Sequence, residues 1–227
     1  MDAVTFRDRA TLVGDALVLA DVHLGADAAS NVELPLGERA DVGERVAALL
    51  AQFDPAEVVV AGDLLHSFSH VPRSAADALE DLARAVREAG ARLVVVRGNH
   101  DTMLDSVWDG PTETAYRVGD AVVCHGHERP EREAALYVVG HDHPTIDIQG
   151  QRRPCWLYGE GVFRGSDVLM CPAFTRLAAG VEVNGMRARD FQSPLVTDVD
   201  AFRPVVRDEA GDETLTFPPL GELRPHL

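Results

Sequence analysis

An α/β fold of two packed β-sheets with helices outside is predicted by three observations. Short valine-rich runs alternate with two amphipathic stretches through the first hundred residues. Beyond about residue 110 the helical spacing disappears, and short strands succeed one another with turn residues between them. At one strand end after another the chain presents aspartate, asparagine or histidine. With 227 residues and 46% apolar content the chain can bury one substantial core, which predicts a single domain. That domain is expected over residues 1–205, with 206–227 as a polar tail or edge strand.

The elements run in order along the chain. "ALVLADVHLG" (16–25) reads as a strand and then a polar turn. "LGERADVGERVAALLAQF" (36–53) places Val42, Val46, Leu49 and Leu50 on one helical face. "AEVVVAGDLLH" (56–66) repeats the strand-then-turn pattern. "SAADALEDLARAVREAG" (74–90) is a helix that Ser74 can cap, with Leu79, Leu82 and Val86 inward and Gly90 at its end. "RLVVVRGNHD" (92–101) is a buried strand ending in three different polar groups. "YRVGDAVVCHG" then repeats the pattern of "TLVGDALVLADVH", two strands joined at a Gly-Asp turn. "ALYVVGHDH", "TIDIQG", "PCWLYG" and "DVLMCPAF" continue as short strands. The expected layout is βαβαβ leading into an antiparallel β half.

Charge and cysteine usage bound the setting. Net charge is −16, with 37 acidic residues against 21 basic ones, and every basic residue is arginine. Such a surface repels nucleic acid and anionic membranes at low salt. The lysine-free, acidic composition is read as adaptation to molar salt. No apolar run approaches the ~18 residues of a membrane span, and "MDAVTFRDRA" carries no apolar secretory core. Cys124, Cys155 and Cys171 are odd in number and scattered. They read as reduced cysteines of a cytoplasmic protein.

The chemistry lies at the strand ends. "ADVHLG" offers Asp21 and His23, "AGDLLH" offers Asp63 and His66, and "RGNHD" offers Asn99, His100 and Asp101. "VVCHGH" offers His125 and His127, and "VVGHDH" offers His141 and His143. Each pair alone is commonplace in a solvated turn. Seven of the nine histidines in such loops, alternating with buried strands, is not commonplace and predicts a shared metal site. Imidazole and oxygen donors suit manganese, iron, zinc or nickel, and a carboxylate can span two ions.

In this order D-x-H, G-D-x-x-H, G-N-H-D, H-G-H and G-H-x-H resemble the calcineurin-like metallophosphoesterase superfamily, over residues 21–143. The "CPAF" strand end is also familiar. The chain is most similar to its small ICC-like members, some of which accompany DNA ligase or helicase genes. The resemblance implies a four-layered αββα sandwich of two mixed β-sheets. It implies that Asp21, His23, Asp63 and His143 hold one divalent ion, and Asp63, Asn99, His125 and His141 a second, with Asp63 as the bridge. Manganese is the foremost candidate, and the reaction is attack on a phosphate ester by hydroxide held between the ions. His100 would protonate the leaving oxygen and Asp101 would orient its ring.

Several positions stay open. His127 could replace His125, which is preferred because it directly ends its strand. His66 could contact substrate phosphate or hold Asp63 in place. Arg97, Arg129 and Arg164 are candidate phosphate binders, although in an arginine-rich chain each reads first as a surface residue. A phosphodiester is the favoured substrate, with a nucleotide or nucleic acid within that class. The second reading is a metal-dependent repair nuclease, against which stand the short segments separating Asn99, His125 and His141. A reading of another class is a catalytically silent protein-binding scaffold on the same fold.

Overall fold

Residues 4–29 and 37–227 are described by a computed structural model of the chain. The expected helix start at Leu36 and the first three residues lie outside the described part. The first sheet is built in strict chain order from β1 (Val4–Arg7), β2 (Ala10–Val13), β3 (Ala16–Leu19), β4 (Glu57–Ala61), β5 (Arg92–Val96) and β6 (Thr112–Glu113). The first three strands are antiparallel neighbours, and β3, β4, β5 and β6 run parallel. The connections across β3, β4 and β5 contain α1 (Ala26–Ala29), α2 (Glu38–Phe53) and α3 (Arg73–Glu88). Parallel strands need such crossovers, so the C-terminal ends of β3, β4 and β5 meet at one sheet edge.

The helices bury the face their spacing predicts. Val42, Val46, Leu49 and Leu50 of α2 pack with Leu79, Leu82 and Val86 of α3 over Leu17, Leu19, Val58, Val60 and Val95. Helix α3 begins after Pro72, whose carbonyl accepts from the amides of Ala75 and Ala76. Ser74 therefore lies inside the first turn and makes no side-chain cap, a departure from its expected role. Proline at the N-cap leaves the capping to its own carbonyl.

The second half is mixed rather than antiparallel. In chain order it comprises β7 (Ala115–Val118), β8 (Ala121–Cys124), β9 (Leu136–Val139), β10 (Pro144–Ile148), β11 (Gln151–Pro154), β12 (Trp156–Phe163), β13 (Ser166–Met170), β14 (Val181–Glu182), β15 (Arg203–Asp208) and β16 (Glu213–Thr216). Seven of these form a sheet in the order β16-β15-β12-β13-β9-β8-β7, while β11, β10 and β14 form a small separate sheet. Strand β9 pairs parallel with both β8 and β13. This again sends two strand ends, those of β8 and β9, to the same edge.

The two large sheets pack face to face. Val18, Ala20, Val59, Ala61, Val94 and Val96 from one meet Val123, Val138, Trp156, Leu169 and Cys171 from the other. Alternate residues of the central strands thus serve different cores, as a period of two requires. The outer face of the second sheet is covered by the small sheet, 3₁₀ turns and α4 (Leu220–Leu223), with Ile146, Phe191, Leu195, Phe202 and Leu220 buried there. The four-layer architecture implied by the family resemblance is present, with short elements in place of long helices in the fourth layer.

For the C-terminal segment the composition predicts an edge strand and a loose tail. The edge strand is β16, paired with β15. The residues after it are held more firmly than their polarity suggests, because Leu220 and Leu223 bury against the second sheet. Among the described residues no helix is long and apolar enough to cross a membrane.

Candidate metal centre

Five strand ends converge at the shared edge of the two large sheets. Beyond β3 and β4 the chain segments continue side by side, with the amides of Asp21, His23 and Leu24 donating to the carbonyls of Gly62, Asp63 and Leu64 at 3.2, 2.9 and 2.8 Å. From the second sheet, the amide of Gly140 donates to the His125 carbonyl at 3.0 Å. The amide of His141 then donates across the gap to the Asp21 carboxylate at 3.0 Å. The "CPAF" segment closes the rear, where the Phe174 amide donates to the carbonyl of Ala20 at 2.7 Å.

Gly98 and Gly140 are among the glycines required by close approach. A Cβ on Gly98 would stand 2.0 Å from Oδ1 of Asp63, and one on Gly140 would stand 2.4 Å from Oδ2 of Asp21. The ligand-bearing residues themselves take up the turning. Asp21, His23, Asp63, His141 and His143 all have positive φ, between 48° and 78°. Left-handed backbone at a non-glycine residue costs of order 1–3 kcal/mol and persists only where the surroundings over-determine it. Aspartate and histidine are among the residue types that tolerate it best.

The side chains form three overlapping groups whose donor atoms lie within 4.8 Å of one another: Asp21, His23 and His143; His23, Asp63 and His100; and Asp63, His125 and His141. Oδ2 of Asp63 lies 3.4 Å from Nε2 of His125 and 3.9 Å from Nε2 of both His23 and His100. Nε2 of His23 and Nε2 of His143 face each other at 3.4 Å. Nε2 of His125 lies 3.1 Å from Nδ1 of His141 and 2.9 Å from Oδ1 of Asn99.

These residues fit divalent cations. Asp21 and Asp63 are 0% and 2% exposed, and their only ion-pair neighbours among the described residues are imidazoles. Buried carboxylates are costly without a compensating charge. Burial, with Asp21 and Asp101 nearby, pushes Asp63 up to about 8 against the opposing hydrogen bond from the His100 amide. Burial also holds His23 down to about 3 and His125 down to about 4. Neutral imidazoles are the form that ligates metal. Asp21 behaves oppositely: burial would raise it, but the hydrogen bond and charge of His143 hold it low.

The structure brings Asp21, His23, Asp63, Asn99, His125, His141 and His143 together. His125, rather than His127, joins the group with Asp63 and His141. The His127 ring lies beside it, 5.0 Å from the His125 ring, with Nδ1 buried and unpartnered. His66 stands 5.5 Å from His23 and 6.1 Å from His100, ring to ring.

Asp101 is a correction. Its carboxylate accepts from the amides of Leu64, Leu65 and Gly98 at 3.3, 2.9 and 2.9 Å, so it fastens the loops after β4 and β5 to each other. The hydrogen bond that orients the His100 ring is from Nδ1 to the main-chain carbonyl of His66, at 2.8 Å. Three preorganised amides satisfy a buried carboxylate better than one imidazole does. Asp142 is also structural, accepting from the amides of Gln192 and Ser193.

A cleft of about 550 Å³ opens beside His125 and His127, lined in part by Arg97, Arg129 and Arg132. Arg97 is ion-paired to Asp105. Arg164 lies over Phe163, away from these groups. Phe68 is a residue that sequence reasoning does not single out. Its ring lies against that of His100, with centroids 3.9 Å apart and planes 33° apart. A lone aromatic in "HSFSH" carries no signal that distinguishes it from any loop residue.

Residues 15–170 match the family described as calcineurin-like phosphoesterase. The chain belongs to this family. Its fold is similar to that in the crystal structure of Pseudomonas putida nuclease MPE, with a TM-score of 0.62, 21% identity and coverage of 92% of each chain. No match was found among curated proteins. The phosphoesterase family and the assembled His/Asp groups agree on a metal-binding hydrolase.

Proposed function

We propose that this phosphoesterase is a dinuclear, divalent-metal-dependent enzyme that hydrolyses phosphodiesters in preference to monoesters. The observation carrying this reading is the position of Asp63, whose carboxylate lies between His23 of one ligand group and His125 of another. Asp21, His23, Asp63 and His143 would hold one ion, and Asp63, Asn99, His125 and His141 the other. When bound, the pair supplies the charge that acidifies the attacking water and neutralises phosphoryl oxygens, with manganese the foremost candidate and iron, zinc or nickel the others.

The chain's own residues do the rest. His100, its Nδ1 fixed by the His66 carbonyl, presents Nε2 toward Asp63 and the reacting region, placed to give a proton to the departing oxygen. Asp101 keeps the His100 loop in register with the Asp63 loop. The open, arginine-bearing cleft beside His125 favours an extended ester over a small closed-in monoester. The same cleft supports a second reading, a metal-dependent nuclease, toward which the similarity in fold to a nuclease also points.

A screen of metal-loaded protein tests the reading directly. Turnover of bis-p-nitrophenyl phosphate is expected to exceed that of p-nitrophenyl phosphate, with cyclic nucleotides and single-stranded DNA as further substrates. A reversed order makes the protein a monoesterase. Little bound transition metal and no turnover would favour the scaffold reading.

We also infer adaptation to high salt and residence in the cytoplasm. Three buried free cysteines support a reducing compartment, and a net charge of −16 supports the first inference. Charge repulsion is screened over ~10 Å at 0.1 M salt but over ~3 Å at 1 M. At fixed metal saturation, the melting temperature is expected to climb from 0.1 to 2 M KCl. A flat or falling curve would leave the composition as a genomic bias.

A further inference from the structure

We propose that Phe68 is a stacking platform for a nucleobase on the departing side of the scissile phosphate. This rests on the phosphodiesterase reading and narrows it to substrates that carry a planar base one sugar away from the reacting phosphorus. Single exposed apolar residues are ordinary, so the 51% exposure of Phe68 carries no weight alone. Its placement does. One part of the ring covers His100 at a centroid distance of 3.9 Å, and His100 directs Nε2 to within 3.9 Å of the Asp63 carboxylate. Phe68 is thus a half-exposed aromatic directly beside the candidate metal centre.

The platform is also held in position. The Thr102 hydroxyl donates to the Phe68 carbonyl at 2.7 Å, and Nδ1 of His100 bonds the His66 carbonyl at 2.8 Å. The 66–68 segment is therefore tied at two points to the 100–102 segment, and a ligand meeting Phe68 need not order it first. His100 is placed to protonate the departing oxygen, so the ring beside it lies on that side of the substrate. Stacking suits this chain for a further reason. Arginine–phosphate attraction weakens steeply with salt, and the net charge of −16 opposes it. A base on an aromatic face depends on neither, and it tolerates any sequence because every base has a π-face.

The test uses full-length metal-loaded protein, Phe68→Ala and Phe68→Trp, at 1 M KCl. Two dinucleotides with one cleavable phosphodiester are compared, one with a base on the departing sugar and one with an abasic sugar there. Wild type and Phe68→Trp are expected to prefer the base-bearing substrate in kcat/KM. Phe68→Ala is expected to reduce that preference about 5- to 100-fold, mainly through KM. An equal loss on both substrates would assign Phe68 to positioning His100 alone and overturn the proposal, as would no loss on either. A second readout works without turnover. Metal-free protein is titrated with a short oligonucleotide carrying 2-aminopurine, whose fluorescence is quenched by stacking. Quenching by wild type and Phe68→Trp but not by Phe68→Ala is expected. Absence of quenching by wild type, or its persistence in Phe68→Ala, overturns the platform. Quenching without hydrolysis of either dinucleotide would keep the platform while removing the phosphodiesterase reading.

Discussion

Asp63→Asn is expected to lose metal from both positions and to reduce hydrolysis to background. Oδ1 of Asp63 accepts the His100 amide at 2.9 Å, while Oδ2 faces the imidazoles of His23, His100 and His125. An amide keeps the size of the group but removes the negative charge between the two proposed cation positions. Loss of an outer hydrogen-bond partner typically costs ~10–100-fold in metal affinity, and removal of the bridging charge is expected to exceed that at both positions. Asn99→Ala, which touches only the His125 group, is expected to weaken one position and spare the other. Folding should survive in Asp63→Asn, because burial already favours the neutral form of this side chain in the metal-free chain. Metal content by elemental analysis, beside a melting curve of the metal-free protein, separates lost ligation from lost structure. Two ions per chain at wild-type affinity in Asp63→Asn would refute the dinuclear assignment.

His100→Ala is expected to divide substrates by their leaving groups. If His100 supplies the proton, esters with alkoxide leaving groups should lose ~10²–10⁴-fold in rate. The p-nitrophenolate ester, whose leaving group departs unprotonated, should lose far less. Metal content decides between this role and ligation, since His100 also falls within one ligand group with His23 and Asp63. Retained metal with a leaving-group-dependent loss supports the acid. Lost metal makes His100 a ligand, and equal losses on both esters make its role electrostatic.

The pattern of candidate ligands was legible in the sequence because each follows the end of a short apolar strand. Parallel neighbours such as β3, β4 and β5 must deliver their C-terminal ends together. The hydrophobic spacing of α2 and α3 was legible for the same kind of reason, one face per helix. Pairing was not. The valines of β8 and β9 announce strands but not partners, so their parallel pairing emerges only when both sheets are assembled. Side-chain duties assigned by adjacency were the least secure. Asp101 stands next to His100 in sequence, yet it serves amides at positions 64, 65 and 98. The group that aims His100 is a carbonyl 34 residues earlier, and a main-chain carbonyl has no letter of its own. Proline at position 72 likewise displaced the cap from Ser74 to the backbone.

The candidate ligands are divided between the two large sheets. Asp21, His23, Asp63 and Asn99 come after strands of the first, while His125, His141 and His143 come after strands of the second. Each ligand group containing Asp21 or Asp63 with a histidine of the second sheet therefore spans the seam between layers. The distance between those donors is set by how one sheet seats on the other, through Val18, Val59, Val94, Val138 and Leu169 and through the bond from Nε1 of Trp156 to the Thr11 hydroxyl at 2.8 Å. The centre thus works as a caliper on the sandwich. Close-packed interiors transmit small displacements, so a change of one methylene deep in the seam would alter the gap between the jaws. Metal selectivity at such a centre is therefore expected to respond to residues that lie outside the candidate ligand groups.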